Sequence, residues 1–348
     1  MTLSVKQDDI RSLSFPELLG YLDGCGEKPF RATQIFDWIY KKNATSFEEM
    51  KNLSKDLRER LSNDFIFEQL QIADQQISED GTTKFLFSLE DGEKVETVLI
   101  PTKTRTTVCV STQAGCKFGC KFCASGIGGW SRNLTPAEIL SQILHVKEAS
   151  LKHESPLSHI VFMGVGEPMD NYDNLIKAIR IINDEKALNI GARRITVSTC
   201  GVIPRILQMG KEGIQIELAI SLHGYNNDSR DVLMPVNKKY PFDDLMKACR
   251  VYQSNYRRQI TFEYILIKDV TCTDKAAKAL KKAFQGLLCK INLIPYNPVS
   301  EFDHKTPSGH EITRFQKQLD EAGIHATVRR PRGRDVAAAC GQLRHAEG

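Results

Sequence analysis

Three cysteines set the chemistry that the rest of the chain must serve. Cys116, Cys120 and Cys123 form a C-x3-C-x2-C triplet within CVSTQAGCKFGCKFCASGIGGWSRN, residues 109–133. Thiolates spaced this closely can each take one iron of a cubane iron–sulfur cluster and leave the fourth iron without a protein ligand. An iron left open can be bound by the amine and carboxylate of a small molecule. A structural zinc knuckle is the alternative, but zinc prefers four protein ligands, often as two C-x2-C pairs, and the triplet supplies three.

Two more thiols stand out. Cys109 precedes Cys116 by seven residues, and Cys340 lies in RGRDVAAACGQLRH, between Ala337–Ala339 and Gly341. Each alone reads as a buried structural cysteine. Beside a cluster triplet, the two together permit a thiol that is alkylated and a second that resolves the product by disulfide exchange. The other cysteines (25, 200, 249, 272 and 289) are scattered. They do not look like a secreted disulfide framework, and clustered cysteines in a longer chain point to metal binding or catalysis. Further candidates are individually weak. Gly166 and Glu167 lie in GVGEP, where glycines permit close backbone approach and the carboxylate can accept hydrogen bonds from an ammonium or a ribose. Ser198, Ser221, Leu222, His223 and Asn297 sit near the ends of apolar runs. Glu96, in VETVLIP, becomes a candidate general base only if something covers it.

The elements that must position these residues follow from periodicity. Residues 1–65 have apolar positions three and four apart and read as a small helical module. In it, SFEEMKNLSKDLRERLSNDF reads as one helix, with Ser46 and Glu49 as a capping box. Phe36, Trp38, Ile39 and Tyr40 suit its core, although they could also form a nucleic-acid platform. Residues 66–106 change to period two; KFLFSLE and KVETVLIP flank a turn at Glu90–Glu93, a hairpin signal. From residue 107, six β-branched runs alternate with helical stretches, which implies a parallel sheet with helices outside. The fold class is α/β, a partial (βα)6 TIM-like barrel, with IHATVRR adding an edge strand. The expected organisation is a helical accessory domain over 1–65, a β-hairpin extension over 66–106, the barrel over 107–325, and a terminal strand and loop carrying Cys340 over 326–348. In such barrels the site is built at the carboxyl ends of the strands. The cysteine triplet, GVGEP, Ser198, Ser221–His223 and Asn297 all fall at that rim.

Composition is that of an ordinary globular chain, 41% hydrophobic and 26% charged. No run approaches the ~18 apolar residues of a membrane span, so no membrane partner and a cytoplasmic location are expected. A monomer is expected because no spare amphipathic face is evident. The net charge of +4 is weak evidence for a polyanionic partner. Arg329, Arg330, Arg332 and Arg334 form a denser basic group suited to phosphates.

The longer blocks carry a specific resemblance. VETVLIP (95–101), CVSTQAGCKFGCKFCASG (109–126), RNLTPAEI (132–139), FMGVGEPMDN (162–171), RRITVSTCG (193–201), ELAISLH (217–223), NLIPYNP (292–298) and DVAAACGQL (335–343) resemble the adenine-C2 radical S-adenosylmethionine (SAM) methyltransferases of bacterial RNA. Those enzymes act on an adenosine of 23S rRNA and on the adenosine 3′ to the tRNA anticodon. The resemblance implies a radical SAM barrel in which Cys116, Cys120 and Cys123 hold a [4Fe–4S] cluster. It further implies that Gly166, Glu167, Ser198, Ser221, Leu222, His223 and Asn297 line the SAM site. Cys340 would carry a methyl group, Glu96 would remove the C2 proton, and Cys109 would resolve the product by forming a disulfide with Cys340. An electron donor such as flavodoxin is implied as a partner. The related C8-methylating resistance enzyme tends to carry Ala where this chain has Pro168, which favours C2. Cys200 stands where the family commonly has a small hydroxyl residue. A non-catalytic RNA-binding protein with a structural metal site is the reading from another class, but it needs neither a SAM pocket nor a thiol pair.

Overall fold

The computed structural model describes residues 7–344. The N-terminal module contains α1 (Phe15–Gly24), α2 (Phe30–Phe36) and α3 (Lys55–Asp64). Its ends are tied together by a parallel pairing of β1 (Asp8–Asp9) with β2 (Phe65–Ile66). Phe36, Ile39 and Tyr40 are at most 1% exposed, so these side chains are core rather than platform. The helix expected from Ser46 begins only at Lys55, with Ser54 as its N-cap. Glu49 does reach back to Thr45 and Ser46, but that bond closes a turn, and the chain continues in turns to Leu53. The module is fastened to the remainder by Lys147 Nζ donating to the Tyr40 carbonyl at 2.7 Å and by the Lys177–Glu17 ion pair at 2.8 Å.

The hairpin forms as its pattern predicts, from β4 (Thr83–Ser88) and β5 (Lys94–Pro101), with β3 (Gln71–Ile77) added outside. β5 pairs antiparallel with β6 (Thr106–Cys109), placing Val98 opposite Cys109, so one sheet runs through both parts. After β6, a short ribbon of β7 (Gln113–Gly115) and β8 (Trp130–Asn133) brackets the cysteine loop, which contains α4 (Ala124–Ile127).

The expected strand–helix repeats follow in order: α5 (Pro136–Ser150), β9 (Leu157–Phe162), α6 (Tyr172–Asn183), β10 (Ile195–Thr199), α7 (Ile203–Met209), β11 (Glu217–Ser221), α8 (Asn227–Leu233), α9 (Phe242–Tyr256), β12 (Ile260–Leu266), α10 (Asp274–Phe284), β13 (Cys289–Pro295), α11 (Gly309–Asp320) and β14 (His325–Val328). Strands β6, β9, β10, β11, β12, β13 and β14 are parallel neighbours in that order, and β3 and β14 are the edges of an open ten-stranded sheet. A parallel strand is covered on both faces, and β12 (ITFEYIL) is buried along its whole length. The helices take their positions from ordinary signals. Thr135, Pro136 and Glu138 make a capping box with proline in the first turn of α5. In α10, Ala276, Ala277, Leu280 and Phe284 form the apolar stripe against the sheet.

Candidate active site

The carboxyl ends of the parallel strands open into one cavity. Its wall includes all three triplet cysteines, Gly166 and Glu167, Ser198, Ser221, His223, and Cys340. Residues separated by more than 200 positions in sequence are therefore brought to one mouth, as the strand-end argument predicts.

The cysteine loop is held from several sides. The Cys116 N–H donates to the Gly129 carbonyl at 2.6 Å, and the Lys121 N–H to Leu233 at 3.0 Å. Gly115 has φ +77°, and a Cβ there would lie 2.2 Å from the Gly129 oxygen, so the ribbon can close only over glycine. The Ala124 N–H donates to the Gly341 carbonyl and the Ser125 hydroxyl to that of Leu343. These last two bonds latch the loop carrying Cys340 onto the loop carrying the triplet.

Glu167 is buried, and its carboxylate accepts from the N–H groups of Met169 (3.0 Å) and Cys200 (2.7 Å). Burial raises its pKa against those hydrogen bonds. The carboxylate thus ties the turn after β9 to the turn after β10 on the cavity wall. The nearby glycines serve the chain itself as much as any ligand, since a Cβ on Gly164 would meet the backbone of Ser111 at 2.7 Å. Ser198 and Ser221, on neighbouring strands, have hydroxyl oxygens 3.2 Å apart. His223 adopts φ +51°, and its Nδ1 accepts from the Ile265 N–H at 3.1 Å. Burial lowers its pKa to about 3. The ring is therefore neutral, carries its proton on Nε2, and packs edge-on against Phe122.

Four expected site residues sit outside this wall. Leu222 is fully buried; its N–H donates to the Glu263 carbonyl. Asn297 donates from Nδ2 to the Cys340 carbonyl at 3.2 Å and accepts from Arg334 Nε at 2.9 Å, so it holds the thiol loop. Glu96 lies two residues mouthward of Val98, the partner of Cys109. It is buried, paired with Lys84 at 3.0 Å, and accepts from the Arg344 N–H at 2.7 Å. Cys109 is buried beneath the Cys340 loop, among Val98, Val165, Ala338 and Leu343. Burial, with Cys340 second, pushes its thiol up to about 12. Cys340 itself is exposed. Every cysteine of the described residues is a free thiol, so the Cys109–Cys340 disulfide implied by resemblance is not formed here.

Of the basic group at the C-terminal end, Arg330, Arg332 and Arg334 are exposed and Arg329 is partly exposed. Arg329 meets Glu263 at 3.5 Å on the cavity wall and is the guanidinium nearest in effect to Cys340 and Cys109. Arg332 donates to the carbonyls of Asp80 and Pro101, and Arg334 to Asn297. Glu263 escaped the sequence reading. The signal was present as a carboxylate inside the otherwise apolar strand ITFEYIL, which has no reason to be there unless a polar cavity lies in front of it.

Residues 110–280 match the radical SAM superfamily, and residues 9–66 match a ribosomal RNA large subunit methyltransferase N-terminal domain. Two curated relatives, each called a probable dual-specificity RNA methyltransferase RlmN, span almost the whole chain. That of Bacillus licheniformis is 46% identical over 99% of this chain and 96% of its own length. That of Bacillus anthracis is 47% identical over 99% and 95%. This chain belongs to the RlmN family. A crystal structure of a radical SAM methyltransferase from Sphaerobacter thermophilus is 42% identical and superposes with a TM-score of 0.93 over 97% of this chain and all of that one.

The donor set fits the cluster that the radical SAM superfamily implies. Among the described residues no three His, Cys, Asp or Glu side chains are gathered to hold a single metal ion. A cubane asks for something looser, because each cysteine sulfur binds a different iron. The three thiols share one cavity wall. Burial raises the pKa of each, and the Cys120 thiol is raised further by Cys123 and Cys116. A cationic iron core relieves that cost by binding the thiolates directly.

Proposed function

We propose that this protein methylates C2 of an adenosine in 23S rRNA and of the adenosine 3′ to the tRNA anticodon, carrying the methyl carbon on Cys340. One observation carries the reading: an exposed thiol, Cys340, shares a cavity wall with the cluster triplet, on a loop latched to the triplet's own loop. The full-length likeness to relatives named as dual-specificity RNA methyltransferases supports the substrate class.

Cys116, Cys120 and Cys123 would hold a [4Fe–4S] cluster. Gly166, Glu167, Ser198, Ser221 and His223 would line the SAM site, with Leu222 and Asn297 supporting it from behind. Cluster and SAM, when bound, would supply the carbon radical that C2 of adenine requires, because that carbon is not nucleophilic. Cys340 Sγ, having lost its proton, would displace the methyl group from the sulfonium of one SAM, leaving S-adenosylhomocysteine, and would carry the carbon as a thioether. Glu96 would remove the C2 proton of the adduct, and its burial beside the Cys340 loop supports that role. Once the adduct had given up its unpaired electron to the cluster, the Cys109 thiolate would attack Cys340 Sγ; the C–S bonding pair would stay with the methylene carbon, which takes up a proton to become the methyl group, and a Cys109–Cys340 disulfide would be left for an external dithiol to reduce. The target adenosine must leave its stack to enter the mouth, which costs least in single-stranded or loop RNA. A flavodoxin-type electron donor, a monomeric state and a cytoplasmic location complete the proposal. Among the described residues no helix is long and apolar enough to cross a membrane.

The test is mass spectrometry of the Cys340 peptide after anaerobic incubation with SAM. One added methyl on Cys340, absent when Cys116 is replaced, is expected. An unmodified Cys340 in protein with an intact cluster and bound SAM overturns the carrier mechanism. Mapping the methylated carbon of the RNA separates C2 from the C8 alternative, against which Pro168 in GVGEP stands.

A further inference from the structure

Arg230 is the largest fully buried side chain among the described residues, at 0% exposure. It projects from α8 and spends its donors on neutral oxygens: the carbonyls of Leu222 (3.0 Å), Tyr240 (3.3 Å) and Cys200, and Oδ1 of Asn237 (3.1 Å). None of these partners is a carboxylate. Asp231, beside it in sequence, is exposed. Glu167 is buried, but it holds the N–H of Cys200 while Arg230 holds the C=O, so the Cys200 main chain separates the two charges. A guanidinium taken wholly out of water is costly unless an anion faces it.

The missing anion has a place. The last residue of α8, Leu233, accepts from the Lys121 N–H at 3.0 Å, and Leu233 and Met234 pack in the same apolar cluster as Cys120 and Cys123. Cys200, whose carbonyl Arg230 holds, packs in that same cluster and lines the same cavity as Cys120. Protonated thiols leave the guanidinium unneutralised; thiolates bound to iron do not. We propose that Arg230 is the counter-cation of the cluster held by Cys116, Cys120 and Cys123, a fixed positive charge behind Cys120 that favours the cluster's reduced, more negative state. The inference rests on the cluster reading above. The step it governs is the uptake of one electron from an external one-electron donor of the flavodoxin type. A cation that stays put stabilises the product of that uptake more than the reactant.

The experiment is an anaerobic redox titration of the reconstituted full-length protein, followed by electron paramagnetic resonance, with iron and sulfide measured on each sample. In Arg230→Gln, which keeps an N–H donor for the Cys200 carbonyl, the reduced-to-oxidised ratio at a fixed potential should fall at least tenfold, a midpoint about 59 mV more negative. Arg230→Lys should shift far less. Should Arg230→Gln fail to fold, the paired change Asn237→Asp with Asp231→Asn moves one negative charge from the surface to the guanidinium. It preserves the 2.7 Å bond between positions 231 and 237 with donor and acceptor exchanged. It should lower the midpoint in the same direction. A fully loaded Arg230→Gln or paired variant with an unchanged midpoint overturns the inference and leaves the cluster reading intact. A wild-type protein that binds no iron and sulfide overturns both.

Discussion

The side-chain amide of Asn297 donates a hydrogen bond to the backbone carbonyl of Cys340 at 3.2 Å, while its oxygen accepts from Arg334. The residue stands at the end of β13, at the rim where a cofactor ligand is expected, yet both ends of its amide face the thiol loop. Asn297→Ala removes two hydrogen bonds from a buried side chain, one of them to a guanidinium, so stability should fall by about 2–3 kcal/mol. The loop should lose its fixed position, and methyl occupancy at Cys340 should drop several-fold. Peptide mass spectrometry alongside a thermal melt reads both. Unchanged occupancy with weakened SAM binding would return Asn297 to the role of a direct cofactor ligand.

Glu96 has a structural duty beside any catalytic one. Its carboxylate pairs with Lys84 at 3.0 Å, the side chains being 9% and 11% exposed. Glu96→Gln leaves a nearly buried ammonium without its partner, which costs about 3–5 kcal/mol. The double change Glu96→Gln with Lys84→Met should restore most of that stability, because no buried charge remains. Methylation should stay lost in the double variant if Glu96 is the base. Methylation that returns together with stability would remove Glu96 from the chemistry.

The framework was legible because it rests on local patterns. Six β-branched runs such as ITVST and ITFEYIL alternate with stripes such as that of α10, and this fixes a parallel sheet and the rim where chain ends gather. The triplet was legible because cluster ligation needs only thiols at close spacing. The choice of partner was not, since it depends on contacts made across the fold. Arg329 carried the signal of a phosphate ligand, whereas its contact with Glu263 depends on where β14 ends beside β13 and had no signal of its own. Ser46 and Glu49 carried a helix-start signal that a turn satisfied equally well, and helix formation waited for Ser54. Glu263 was hidden by the expectation that a wholly buried strand is apolar.

His223 should make stability fall in acid. Burial holds its folded pKa at about 3, below the ordinary value of 6.5. As pH drops through that window the unfolded chain takes up the proton first, so stability is lost between about 6.5 and 3 and is unaffected above it. The slope is about 1.4 kcal/mol per pH unit from this one group. His223→Asn tolerates the positive φ and offers an oxygen to the Ile265 N–H. It should flatten that part of the profile in denaturant melts across pH. A variant whose stability falls as steeply as wild type would show that His223 is protonated in the folded protein.

Cys109 and Cys340 should differ sharply toward alkylating reagents. Cys340 is exposed, whereas Cys109 lies under Ala338 and Leu343 with its thiol pushed up to about 12. The thiolate is the reactive form, so at pH 8 only about one Cys109 in ten thousand would be ready to react, even if reached. Brief iodoacetamide treatment of the native protein should label Cys340 and spare Cys109, and unfolding in guanidinium should remove the protection. In the proposed cycle, where Cys109 is the resolving thiol, the same burial would keep it from attacking Cys340 before the methyl carbon has been handed on, and the loop over it would have to lift late. Equal labelling of the two cysteines in the native protein would mean that the loop opens freely without substrate, and timing would then have to come from elsewhere in the site.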